Sequence, residues 1–285
     1  MNIKISIVMT AYNMERYIEE AMRSCLSQTY SNIELIVVED CSTDETLSII
    51  ERIANEDSRV SIIKHEQNLG AGMGRRDGIS AATGDYFITI DADDWIDEDF
   101  IENLADRANI TGADVVSGGI TVERGDGYWE KTCYGDITCV GIDKVKKFWG
   151  EKVVFMNNKI IRTSFRDKIQ YCHRRFIEDT PTIIPILHMA NQVEYVSNTG
   201  YHYRMQKGSL THNADAFKYA LYRALCCMDL IEYFNNVGEP QVLQEIPIQP
   251  MLQKQIEIIK QVDPNKEMIM AYIDEWIEFT KRIFM

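Results

Sequence analysis

Apolar and polar positions alternate from the start of the chain. Ile3, Ile5 and Ile7 alternate, and Val8-Met9 extend the run to Thr10, the pattern of a strand. After the turn Ala11-Tyr12-Asn13, the positions Tyr17, Ile18, Ala21, Met22, Cys25 and Leu26 fall on one face of a helix. The cycle then repeats. Residues 33–38 read as a second strand closing in Glu39-Asp40, and Ser42 with Glu45 three later fits a capping box. Leu47, Ile50, Ile53 and Ala54 share a helix face, and residues 60–63 read as a third strand. A glycine-rich stretch, 68–78, leads into a helix ending near Ala82. The run 86–90 is a fourth strand, Phe100, Ile101, Leu104 and Ala105 mark the next helix, and 113–117 is a candidate fifth strand. Strands alternating with helices predict an α/β fold with a mostly parallel sheet and right-handed crossovers.

Beyond residue 110 the periodicity weakens. Gly118-Gly119 and Arg124-Gly125-Asp126-Gly127 mark turns, and 120–140, with Tyr128, Trp129 and Tyr134, suggests a hairpin or loop excursion. Residues 141–149 suit a short helix. From Ala214 the helical spacing returns, with Leu221, Ala224, Leu225, Met228 and Ile231 on one face. Gly238-Glu239-Pro240 breaks it, and 251–262 and 268–284 are further amphipathic stretches. Core or dimer packing is the expected use of these helices. Asp274, Glu275 and Glu278 argue against strong attraction to anionic lipid, leaving at most a peripheral membrane contact.

Composition narrows the partners. The 285 residues, 45% hydrophobic, suffice for one large domain or two small ones. A net charge of −14 would repel nucleic acid, so a phosphate-bearing ligand needs a metal or a local Arg and Lys cluster. Seven cysteines without C-x-x-C spacing indicate neither a disulfide framework nor zinc. Lys4 and Ser6 interrupt the first apolar run, so no signal peptide is visible, and no uncharged stretch is long enough to span a bilayer. The expected location is the cytoplasm, with the inner face of the membrane left open.

The fourth strand ends in Asp91-Ala92-Asp93-Asp94. Ligands of open α/β sheets bind beyond the carboxyl ends of the strands. In extended backbone Asp91 and Asp93 point to one side, and two hard oxygen ligands there suit Mg²⁺ or Mn²⁺ together with a substrate diphosphate. An acidic turn before a helix explains the triplet equally well when it is read alone. The dinucleotide-binding fingerprint fails, because the glycines follow the third strand, spaced G-x-G-x-G. No Gly-rich, Lys-bearing phosphate loop follows the first strand, as a nucleotidyltransferase on a similar sheet would require. Tyr12 is placed to lie against a base, Asp40 to accept its ring N–H, and Arg75 and Arg76 to meet phosphate. Singly, each also reads as a packed Tyr, a capping Asp or solvated Arg.

Five segments, in order, resemble the inverting glycosyltransferases of family 2, which have the GT-A fold. They are Ser6 through Asn13, Ser24 through Tyr30, Glu34 through Asp44, Asn68 through Ile79, and Asp91-Ala92-Asp93-Asp94. The likeness is close over residues 1–105 and patchier to about 212. It implies a nucleotide-sugar-binding α/β half, 1–110, an acceptor-binding and catalytic-base half of the same domain, 111–212, and a C-terminal helical region, 213–285. It implies a metal-dependent transfer of a hexosyl or N-acetylhexosaminyl group, with Mn²⁺ or Mg²⁺. The donor would be a nucleotide sugar, usually of uridine, and the acceptor a glycan or lipid-linked glycan of surface polysaccharide synthesis. A non-catalytic nucleotide-sugar-binding module remains the alternative from another class, and a homodimer stays open.

Carried over residue by residue, the resemblance puts Thr10, Ala11, Tyr12 and Asp40 around the nucleoside. It puts Arg75, Asp91 and Ala92 on the nucleotide, and Asp93 or Asp94 on the metal. Asn158 and Lys159 lie in a segment near the donor sugar, with Glu178 as a further sugar or acceptor candidate. Asp179, second of the pair Glu178-Asp179, is the expected base, although locally the pair reads as an acidic helix start before Pro181. Arg204 and Ser209 are candidates for the diphosphate, and His202 is either a third metal ligand or structural. Two departures stand out. Cys41 replaces a Gly that would permit a left-handed turn, so that turn is expected to differ. Arg76 replaces a neutral asparagine, so a more basic phosphate environment is expected.

Overall fold

The sequence alternation becomes a two-faced sheet. The computed structural model describes residues 3–124, 128–132, 135–150, 155–169, 171, 179–198, 200–205 and 216–262. The first half runs β1 (Ile5–Ala11), α1 (Ile18–Leu26), β2 (Ile33–Glu39), α2 (Thr46–Glu56), β3 (Val60–Lys64), α3 (Ala71–Ala81), β4 (Tyr86–Asp91), β5 (Trp95–Ile96) and α4 (Phe100–Thr111). Then come β6 (Val115–Ser117), β7 (Ile120–Arg124), β8 (Tyr128–Thr132), β9 (Ile137–Val140), α5 (Asp143–Gly150) and β10 (Lys159–Arg162). A 3₁₀ turn (Thr163–Lys168) precedes α6 (Asp179–Met189), β11 (Gln192–Tyr195), β12 (Tyr201–Arg204), α7 (Ala216–Asn236), α8 (Val242–Glu245) and α9 (Ile248–Val262).

The large sheet has the order β3-β2-β1-β4-β10-β6-β11-β9, and a smaller one the order β5-β12-β7-β8. Strands β3, β2, β1 and β4 are parallel, as the sequence predicts. Beyond β4 the sheet becomes mixed: β10 inserts antiparallel to both β4 and β6, while β6 and β11 pair parallel. The fifth strand is shorter than expected, and the 120–140 excursion is the antiparallel pair β7/β8 followed by β9. Residues 268–284 lie outside the described residues.

Period-two alternation decides which side chain serves which face. Ile5, Ile7 and Met9 of β1 join Leu35, Val37, Ile88 and Ile90 under α1, α2 and α4. Val8, Ile36 and Phe87 point the other way, into a cluster with residues of α3, α6, α7 and α9. The C-terminal helices therefore complete the core over this second face. Among the described residues, no helix is long and apolar enough to cross a membrane.

Two glycines seat α3 directly on the strands. A Cβ on Gly78 would meet Val8 Cγ1 at 2.3 Å, and one on Gly74 would meet Thr10 Cγ2 at 2.8 Å. Register then levels the strand ends, since Thr10 pairs with both Val38 and Asp91.

Two local expectations fail. The capping box does not form: α2 begins at Thr46, whose N–H is taken by Asp44 Oδ1 at 3.0 Å. Ser42 Oγ instead accepts the Asn13 N–H at 3.0 Å, tying this turn to the one after β1. Cys41 does adopt the left-handed backbone, at φ 65°. That conformation costs a side-chain-bearing residue roughly 1–2 kcal/mol. Hydrogen bonds on both flanks offset it, with Ser42 N–H donating to Glu39 at 2.6 Å and Asp40 accepting from Leu69 and Gly70, both at 2.8 Å.

Candidate active site

The level ends of β1, β2 and β4 gather Thr10, Ala11, Asp40 and Asp91 at one rim of the sheet. Asp40 is buried, and its N–H donates to Ala11 O at 2.9 Å. Its carboxylate accepts from the loop before α3 and lies 2.7 Å from His65 Nδ1, while His65 Nε2 lies 3.1 Å from Asp77. Sequence reasoning missed His65; nothing in its local pattern distinguishes it from a loop residue. Tyr12 stands at the rim, 41% exposed. Arg76 pairs with its neighbour Asp77 at 2.6 Å, so the expected extra positive charge is matched by a carboxylate.

Oxygens of Asp91, Asp93 and Asp94 lie within 4.8 Å of one another. Ala92, between them, is buried. Burial and the adjacent Asp91 charge push the Asp93 carboxyl up to about 6. Burial, then Asp91 and Asp93, raise Asp94 well above the usual carboxylate range. Three carboxylates in mutual repulsion form a donor set of hard oxygens that fits Mg²⁺ or Mn²⁺. Asp94 is 2% exposed, and its oxygens accept from the Tyr201 hydroxyl at 2.6 Å and the Arg204 N–H at 2.9 Å. Asp91 and Asp93 are more open.

Asp179 heads α6, as its acidic-helix-start reading requires, and it also reaches the rim. Its Oδ1 accepts from Arg75 Nη1 at 2.8 Å, and its Oδ2 faces the Met156 N–H at 3.4 Å. The other arm of Arg75 donates to Asp91 Oδ1 at 3.0 Å. One buried guanidinium, carried by the glycine-seated helix α3, thus links the expected base to the end of β4.

The pair Asn158-Lys159 sits one step behind the site. Asn158 turns through φ 51° and donates to Gly118 O, while Lys159 is fully buried, its ammonium on Phe155 O at 2.8 Å and on Asn158. Burial lowers the Lys159 pKa well below its usual value, against the pull of Asp179. The neighbour Asn157 is the residue that reaches the carboxylates, donating to Asp91 Oδ2 at 2.7 Å. Arg204 lies over the Tyr17 and Trp95 rings and pairs with Glu20 at 2.7 Å. His202 stacks on Trp95 and lies 2.8 Å from Asp97, so it joins that acid and not the carboxylate cluster. Glu178 and Ser209 lie outside the described residues.

Comparison with known proteins bears on the family and the fold. The chain is 27% identical over 271 residues to the glycosyltransferase GlyG of Streptococcus pneumoniae serotype 4, covering 91% of this chain and 88% of GlyG. The fold matches S. aureus TarS 1-349 in complex with UDP-GlcNAc, with TM-score 0.69, 21% identity, and coverage of 92% of this chain and 74% of that one. It also matches the mannosyltransferase PcManGT of Pyrobaculum calidifontis in complex with GDP-Man and Mn²⁺, with TM-score 0.56, 14% identity, and coverage of 98% and 80%. The sequence model described as Glycosyl transferase family 2 matches residues 6–176. With its mixed α/β sheet of GT-A type, the chain belongs to glycosyltransferase family 2.

Proposed function

We propose that the protein moves a sugar from a UDP-sugar to a glycan or lipid-linked glycan in surface polysaccharide synthesis, by a single displacement with inversion. The observation that carries this reading is the Arg75 bridge, which brings Asp179 and Asp91 to one guanidinium. An acceptor hydroxyl is a poor nucleophile at neutral pH and needs a positioned base. Asp179 takes its proton while the oxygen attacks the anomeric carbon. The bond from that carbon to the diphosphate oxygen breaks on the opposite face, and the nucleoside diphosphate leaves. Thr10, Ala11 and Tyr12 cradle the nucleoside, Asp40 holds the loop before α3 beside it from within, and Arg75, Asp91 and Arg204 meet the ribose–diphosphate end.

Asp93 is the proposed direct ligand of a divalent ion, because Asp94 is buried with both oxygens engaged from within. Such an ion supplies charge stabilisation to the departing diphosphate. The deciding experiment replaces Asp179 by Asn. Transfer, measured as UDP release with acceptor present, is expected to vanish while calorimetric UDP affinity stays near wild type. Loss of UDP binding in parallel with transfer would remove the base assignment.

A further inference from the structure

Beneath the three aspartates lies a buried polar network that the displacement above does not use. Tyr201 of β12 is 1% exposed, and its ring meets Phe100 edge-on, with centroids 6.3 Å apart. Its hydroxyl donates to Asp94 Oδ2 at 2.6 Å and accepts from Asn157 Nδ2 at 2.9 Å. Asn157 is also buried and donates to Asp91 Oδ2 at 2.7 Å, while its own oxygen accepts from the Thr89 hydroxyl at 3.3 Å. The turn 91–94 is closed by the Asp94 N–H on Asp91 O at 3.1 Å. Both ends of the turn carrying Asp93 are therefore gripped from inside the protein.

The donors that Tyr201 and Asn157 supply are uncharged, while the charged donor Arg75 takes the other oxygen of Asp91 at 3.0 Å. A phenol and a carboxamide orient a carboxylate without cancelling its charge. Groups that hold the ligands of a metal from behind commonly control its affinity.

We propose that Tyr201 and Asn157 are positioning residues that hold Asp91 and the Asp93-bearing turn ready for a divalent cation and the donor diphosphate. The inference rests on the metal-dependent donor site proposed above. Its test is calorimetric titration of UDP into the full chain, with Mn²⁺ and again with EDTA. The ratio of the two affinities measures the coupling between nucleotide and metal. Tyr201→Phe keeps the ring and removes one oxygen, and Asn157→Ala removes the second donor independently.

Each variant is expected to reduce the ratio about tenfold or more. Affinity in EDTA should fall by much less than affinity with Mn²⁺, and higher Mn²⁺ should restore binding. A wild-type ratio in both variants overturns the inference alone. Equal losses with and without Mn²⁺ overturn it too, by marking a merely structural role. A wild-type protein whose UDP affinity ignores Mn²⁺ overturns it together with the metal reading. Should Tyr201→Phe fail to fold, Asn157→Ala decides.

Discussion

Arg75 is the side chain whose geometry can be separated from its charge. Lysine keeps the charge but lacks the planar fork that spans two carboxylates. Arg75→Lys is therefore expected to lower kcat/KM by about 10²-fold, the usual effect of a small misplacement at a reacting centre. Steady-state kinetics measure this, with circular dichroism confirming the fold. Asp93 gives the opposite kind of test. Its carboxyl is pushed up to about 6 by burial and Asp91, so ionisation at neutral pH is opposed by its surroundings. Asp93→Asn is expected to raise the metal-free Tm by about 2–4 °C, roughly the effect of 1 kcal/mol. The same variant should abolish any gain in UDP affinity from Mn²⁺. Asp91, Asp93, Asp179 and Arg75 stand out in the sequence because each sits in a short motif and the motifs keep a fixed order, and the fold brings Arg75 against Asp91 and Asp179. The sequence carried no sign of Asn157, which donates to Asp91, because that contact depends on where the chain turns at Asn158, φ 51°. Tyr201 stayed hidden because a tyrosine in a strand looks like core until its hydroxyl partner is seen.

Among the elements, β2 shows polar ties at the end of the sheet opposite the rim, and α3 shows close packing on the strands. Glu34 of β2 accepts from Lys4 at 2.8 Å, Ser6 at 2.5 Å and Thr83 N–H at 2.8 Å. Burial alone would raise its pKa, but these donors outweigh burial and hold it at about 2. A carboxyl lowered in the folded state contributes stability above its unfolded pKa and loses it as pH falls toward the folded one. Thermal melts should therefore show this contribution fading from about pH 4.5 to about pH 2, and Glu34→Gln should flatten that part of the curve. At Gly78, an added methyl meets Val8 within 2.3 Å. Gly78→Ala is expected to cost about 1–3 kcal/mol in urea unfolding, as overpacking does. The first four strands were legible because each is a short, mostly apolar stretch bounded by turns. Strand β10 was not, because its antiparallel place between β4 and β6 depends on partners far away in the chain.

At the scale of the whole molecule, charge and the C-terminal helices matter most. A chain with net charge −14 repels an anionic nucleotide before any contact is made. Screening should raise the association rate of UDP as ionic strength goes from about 0.01 M to about 0.15 M, the reverse of a basic site. Stopped-flow fluorescence at fixed free Mn²⁺ reads this directly. Helices α7 and α9 share one apolar cluster with β1, β2 and α6. Their amphipathic pattern was visible in the sequence, but the face they cover was not, since periodicity names a buried side without naming its neighbour. The seating of α3 reaches further than stability. Any methyl slipped under that helix would work as a shim, lifting Arg75 away from Asp91 and Asp179 in one motion. The height of a single hydrogen atom, at Gly74 or Gly78, thus sets where Arg75 meets its two carboxylates.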